Sequence, residues 1–163
     1  MKTKKITVMA LTIALAMILS FVESQIPAFV AIPGVKIGLA NIAVVFALYK
    51  LGRKEAIGVS LIRVALVSLL FGNFASLFYS LAGAALSLTG MLLLKSCKHV
   101  STLAVSVTGG VLHNIGQIAM ACILLETNVI AYYLPFLVLS GTIAGVVIGL
   151  LAAILIQRIN TKL

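Results

Sequence analysis

No charged residue interrupts positions 129–157, VIAYYLPFLVLSGTIAGVVIGLLAAILIQ. A helix crosses the hydrocarbon of a bilayer in about 20 residues. This run is long enough to tilt, or to begin with a broken turn at Pro135. A soluble core could not absorb it together with the rest of the chain, which is 63% hydrophobic and 9% charged over 163 residues. Soluble domains sit near 45–50% apolar and about 25% charged. The chain therefore reads as an all-α integral membrane protein, a single transmembrane domain over 1–163.

Further apolar segments lie at about 6–23, 37–51, 55–72, 74–94 and 101–125. With 129–157 they predict a bundle of six transmembrane helices, the second of them short. Gly72-Asn73 is a tight turn signal that makes a hairpin of the third and fourth. The stretch 25–36, QIPAFVAIPGVK, stays apolar but is broken by Pro27, Pro33 and Gly34. It reads as an outer loop that lies in the interface or folds back as a lid. A basic start before an apolar run also describes a signal peptide. The first segment is long for that role and no A-x-A site follows, so it is expected to be kept as a helix.

The net charge of +9 does not point to nucleic acid. A nucleic-acid-binding domain clusters its Lys and Arg on one folded face. Here Lys2, Lys4, Lys5, Lys50, Arg53, Lys54, Lys95, Lys98, Arg158 and Lys162 fall in groups between the apolar runs. With both termini cytoplasmic, all of these are inside, Lys36 is outside and Arg63 is in the membrane. That is the asymmetry of the positive-inside rule, and it places the protein in the cell membrane as a multi-pass chain. The sequence holds no Asp and three Glu: Glu23, Glu55 and Glu126. No acid pair is available for Mg²⁺-diphosphate, no Asp-bearing triad and no Walker B acid. No catalytic residue and no metal site is expected. Cys97 and Cys122 form no CxxC and read as reduced structural residues.

Ionisable groups at mid-membrane cost roughly 2.5–3.5 kcal/mol on insertion scales, so they face a bundle interior, a partner or a cavity. Arg63 falls near the middle of the third helix and His113 near the middle of the fifth. Asn114 and Gln117 follow toward the outside. His113 and Gln117 share a helix face, and Asn114 and Gln117 are neighbours. Gly109, His113 and Gln117 make a stripe without a large apolar group. Asn41 lies near the outer end of the second helix. These groups run from mid-depth outward and fit a cavity opening to the exterior. His113, Asn114, Gln117, Arg63 and Asn41 are the candidate ligand-binding residues. Inter-helix hydrogen bonding, worth about 0.6 kcal/mol on average, is the competing role. It weighs equally for Asn41. Arg63 reads as an anion ligand or a buried ion-pair partner. Glu23 and Lys36 are expected to mark the membrane boundary, and Tyr132 and Tyr133 an outer aromatic belt.

Gly141, Gly145, Gly149 and Ala153 recur every four residues in the sixth helix, as do Ala10 and Ala14 in the first. Such stripes let helices approach closely. The sixth is expected to pack inside the bundle. The first could pack against another subunit or simply within the bundle.

The run Pro33-Gly34…Lys36-Ile37-Gly38-Leu39-Ala40-Asn41, together with Arg63, SLAGAALS (80–87) and HNIGQ (113–117), resembles the Gx transporter family. Its members are also labelled heptaprenyl diphosphate synthase component I, within the S-component-like membrane proteins. The resemblance covers nearly the whole chain. It implies energy-coupling-factor architecture, in which a small membrane subunit captures a substrate from outside. That subunit then docks through an Ala-rich first helix on a coupling membrane subunit driven by ATPases. Ala10 and Ala14 match the AxxxA pattern of that docking surface. Pro33, Gly34 and Lys36 fall in the gating outer loop. No ligand signature of the vitamin-binding members is readable.

Three functions follow as expectations. The first is a non-enzymatic substrate-capturing transport subunit. The second is a membrane subunit of extracellular electron transfer that handles a quinone or flavin, paired with an extracytoplasmic flavin-bearing partner; this association also comes from the resemblance. The third is a non-catalytic accessory to heptaprenyl diphosphate and menaquinone synthesis. The transport reading requires no cofactor, and a quinone or flavin enters only under the second.

Overall fold

A computed structural model describes residues 2–25, 38–71, 74–97 and 99–159. Among the described residues the chain forms six α-helices: α1 (Lys2–Gln25), α2 (Asn41–Lys50), α3 (Arg53–Phe71), α4 (Phe74–Ser96), α5 (Thr102–Leu124) and α6 (Leu134–Arg158). A 3₁₀ turn, Val129–Tyr133, leads into α6. Pro135 lies in the first turn of α6, where its missing N–H breaks no helical bond. Ser101 caps α5, its hydroxyl accepting from the Ala104 N–H at 3.2 Å.

The second helix begins later than the expected 37. Gly38 has φ +77°, outside the helical basin. Three i→i+3 bonds, from Asn41, Ile42 and Ala43 to Gly38, Leu39 and Ala40, wind a tight turn before the helix opens to its regular pitch. That leaves α2 with 10 residues, about 15 Å of helix. Every residue from Ile42 to Leu48 is buried. A helix apolar all round belongs inside a bundle, and α2 indeed contacts α1, α3, α5 and α6. Among the described residues, four helices are long and apolar enough to cross a membrane: α1, α4, α5 and the Val129–Arg158 run. α3 is 19 residues long and carries Arg53, Lys54, Glu55 and Arg63.

Packing is tightest where glycines remove the Cβ. A Cβ at Gly145 would lie 2.6 Å from the Val107 Cα, and one at Gly110 2.6 Å from the Gly141 carbonyl oxygen. α5 and α6 thus touch backbone to backbone, as the four-residue stripe in α6 anticipates. Across the other side, a Cβ at Gly116 would lie 2.6 Å from the Ala82 carbonyl oxygen of α4. In lipid, where apolar burial alone supplies little drive, such contact is what holds helices together.

The polar groups sort by end. Lys5 pairs with Glu55 at 2.6 Å, tying the start of α1 to the start of α3. Arg53 donates to Ser96 at 3.3 Å. The Lys95 ammonium donates to the Leu48 carbonyl and sits 4.7 Å from the Tyr49 ring centroid. Gly149 of α6 rests against Leu103 at the start of α5. The first residues of α1 and the last turns of α6 therefore share this basic end. Glu23, Gly38 and the tilted Phe21–Phe71 pair, with ring centroids 5.5 Å apart, lie at the other.

Candidate functional site

At the end opposite the basic groups, the helices leave a cavity of about 70 Å³. Asn41 enters from the first residue of α2, which α2's tight start places at the rim. Arg63 enters from the middle of α3. His113 and Asn114 are neighbours on α5, and Gln117 lies one turn further on. Gly110, Gly141, Ala144, Gly145 and Ile148 complete the α5–α6 wall, with Gly38 and Glu23 on the remaining side. All five expected ligand-binding residues thus line one space. α2, α3, α5 and α6 all contribute, and α1 adds Glu23.

Each wall has a local cause. The Asn114 amide donates to the Leu137 carbonyl at 2.6 Å, and Asn114 is only 6% exposed. Gly141 makes room for that amide: a Cβ there would lie 2.7 Å from Nδ2. Asn114 therefore fastens α5 to α6 while lining the cavity, so both competing roles meet in one residue. On the α4 side, a Cβ at Gly83 would lie 2.8–2.9 Å from the His113 carbonyl and ring and the Gln117 Cγ. Gly83 lets α4 back directly onto the two polar side chains. The stripe of Gly109, His113 and Gln117 runs along the side of α5 that meets α4. Gly109 packs against Met91 and Ser87 of α4, and Gly110 is the α5 glycine that lines the cavity.

Arg63 dominates the electrostatics. Its Nε is buried without a hydrogen-bond partner, a costly state for a donor on a charged group. Glu23 exerts a Coulombic attraction on it. The Glu23 carboxylate also accepts the Gly38 N–H, joining the end of α1 to the start of α2. Glu23, expected to mark the membrane boundary, also lines the cavity. The signal for it was Arg63 itself, because a buried guanidinium needs a countercharge. Glu23 is the acid at the outer end of a neighbouring helix.

Pro33, Gly34 and Lys36 lie outside the described residues. Ala10 and Ala14 are both exposed on α1, on a face that also carries exposed Ile6, Leu11, Leu15 and Ile18. Tyr132 and Tyr133 are exposed beside the start of α6.

A second hollow, about 290 Å³, is a groove lined by Val8, Leu11, Thr12 and Leu15 of α1, Ile42, Ala43 and Phe46 of α2, and Leu155 and Ile159 at the end of α6. It shares no described lining residue with the polar cavity.

A family model described as heptaprenyl diphosphate synthase component I matches residues 12–155. No curated protein matches the sequence. The fold is similar to the solved S component of a bacterial ECF transporter, with 19% sequence identity and a TM-score of 0.67. The match covers 97% of this chain and 96% of that one. At that identity the likeness is one of fold.

Proposed function

This chain belongs to the heptaprenyl diphosphate synthase component I family, and we propose that it acts not as a synthase but as the substrate-capturing membrane subunit of an ECF-type transporter for a small molecule. The observation that carries the reading is the convergence of Arg63, Asn41, His113, Asn114 and Gln117 on one cavity inside an S-component fold. Polar groups that cost several kcal/mol each to hold in lipid gather around one space instead of scattering among helix contacts. Prenyl diphosphate chemistry needs acids to hold Mg²⁺ and diphosphate, and the chain has no Asp.

In this reading, Arg63 receives an acidic or carbonyl oxygen of the substrate at its unpartnered Nε. Asn41, His113 and Gln117 orient further polar atoms, and Asn114 keeps α5 and α6 at the spacing the cavity requires. The six helices form a single membrane domain with the basic end cytoplasmic, as the positive-inside rule asks. The exposed Ala10–Ala14 face of α1 docks on a coupling membrane subunit. The chain carries no nucleotide-binding loop, so ATP hydrolysis is supplied by partner ATPases.

The groove between α1, α2 and α6 does not favour a quinone. A quinone needs a polar head site continuous with its tail channel, and the two hollows share no described lining residue.

Affinity purification from native membranes tests the proposal. ATPase subunits and a second membrane protein should copurify in stoichiometric amounts. They should be lost when Ala10 and Ala14 are both replaced by Leu. A chain that purifies with a soluble prenyl synthase instead would overturn it.

A further inference from the structure

The groove between α1, α2 and α6 has apolar walls and a basic mouth. Its walls are large side chains, among them Leu11 and Leu15 of α1, Phe46 of α2 and Leu155 of α6. Thr12 also lines it, but its hydroxyl donates to the Val8 carbonyl of its own helix at 2.7 Å and asks nothing of an occupant. From Val8 to Leu15 the groove follows α1 for about 10 Å. Half of a hydrocarbon core about 30 Å thick is about 15 Å, so the groove fits within one leaflet.

The mouth lies at the basic end. Lys4 shares the α1 face of Val8, Leu11 and Leu15, stands one turn nearer that end, and is exposed. Arg158, in the last turn of α6 next to Leu155 and Ile159, is exposed as well. Of the three Glu in the sequence, Glu23 ends α1 and Glu126 follows α5, both at the opposite end. Glu55 is at the basic end, where it is already paired with Lys5 at 2.6 Å. Residues 160–163 lie outside the described residues; they hold Lys162 and no acidic side chain.

An apolar channel one leaflet deep beneath two exposed cations matches a phospholipid with a negative headgroup, its chain along the walls and its phosphate at the mouth. A partner helix suits these walls less well. Helices in lipid approach through small residues, and Ala10 and Ala14 present theirs on a different face of α1. We propose that this groove holds one acyl chain of an anionic phospholipid from the leaflet at the basic end, with Lys4 and Arg158 receiving its phosphate. Such a lipid is held whether or not the chain captures a substrate, and it leaves the Ala10–Ala14 face open.

The chain has no Trp, so one introduced indole reports on one place. Leu11→Trp puts it in the groove wall, where Leu11 is 65% exposed. Leu61→Trp is the control. The Lys5–Glu55 pair sets α1 and α3 level, so Leu61 lies at the depth of Leu11, exposed but outside the groove. Each variant is reconstituted in phosphatidylcholine vesicles that carry either phosphatidylglycerol or phosphatidylcholine with brominated acyl chains, and quenching gives the relative affinity. Leu11→Trp should prefer phosphatidylglycerol by about 30-fold, about fivefold for each cation. Leu61→Trp should show no preference. Adding Lys4→Gln and Arg158→Gln to Leu11→Trp should abolish the preference and leave quenching by phosphatidylcholine in place. High salt should shrink it without any further substitution, which decides the matter if the doubly substituted chain fails gel filtration. The proposal is overturned if the two lipids quench Leu11→Trp alike, if Leu61→Trp shows the same preference, or if the preference survives high salt or loss of both cations. An indole in Leu11→Trp that neither lipid quenches means that a protein segment fills the groove, and overturns it equally.

Discussion

Adding a single carbon at Gly145 should separate α6 from α5. A Cβ there would sit 2.6 Å from Val107 Cα, 3.1 Å from Val107 N and 3.2 Å from Ser106 O. All three are backbone atoms of α5, so no rotamer change relieves them. Carbon atoms settle at about 3.5–4.0 Å, so the helices must part by about 1 Å. Overpacking of this kind costs about 1–3 kcal/mol, and the rigid neighbours put Gly145→Ala in the upper half. Alanine's better helix propensity returns up to about 1 kcal/mol. The net loss is about 1–2 kcal/mol, a fall in melting temperature of about 2–8 °C for a chain of this size. Gly58→Ala is the matched control. Its new Cβ would meet only the Met9 Cε, at 2.8 Å, the tip of a flexible side chain that can swing aside. It should stay within about 0.5 kcal/mol of wild type. The chain has no Trp, so helical circular dichroism in detergent is the suitable readout. If Gly145→Ala melts at or above wild type, or Gly58→Ala costs as much, backbone contact between α5 and α6 is not what holds this bundle.

Asn114→Ala should lose the bond to Leu137 and about 0.6–1.7 kcal/mol of stability by thermal melting, together with ligand binding. If binding falls with stability unchanged, its fastening role is wrong. Arg63→Ala should remain folded by gel filtration yet bind no ligand, whereas full affinity would make Arg63 structural. Breaking the Lys5–Glu55 pair by Glu55→Gln should cost under about 1 kcal/mol, with the difference shrinking in high salt. Lys5 is 41% exposed and Glu55 22%, so solvent already screens the pair.

Much of the candidate site's lining was legible in the sequence because lipid makes polar side chains conspicuous. Arg63, His113, Asn114, Gln117 and Asn41 stand out against apolar surroundings, and their mid-to-outer depth follows from counting along each helix. All five reach the same cavity. Glu23 was harder, because an acid at a helix end has an ordinary explanation at the membrane boundary. Only the three-dimensional approach of α1 to α2 and α3 brings it to Arg63. Which glycine of α5 lines the cavity is equally hidden in the sequence: adjacent residues differ by about 100° around a helix, and the packing partner on each side decides which faces the cavity. For the fold, long uniform runs gave helix ends within a few residues. The start of α2 moved because a glycine at positive φ and a tight turn consume residues that still look apolar. The burial of α2 on all sides is written in its unbroken apolar run, Ile42–Leu48, although no periodicity says which helices surround it.

The most direct measurement is mass spectrometry of small molecules that copurify with the protein in mild detergent from its native membranes. Wild type would be set beside the Asn114→Ala/Gln117→Ala double variant. A substrate-capturing subunit should retain a water-soluble compound in near-stoichiometric amount and lose it in the double variant. A menaquinone or flavin retained equally by both would contradict the account.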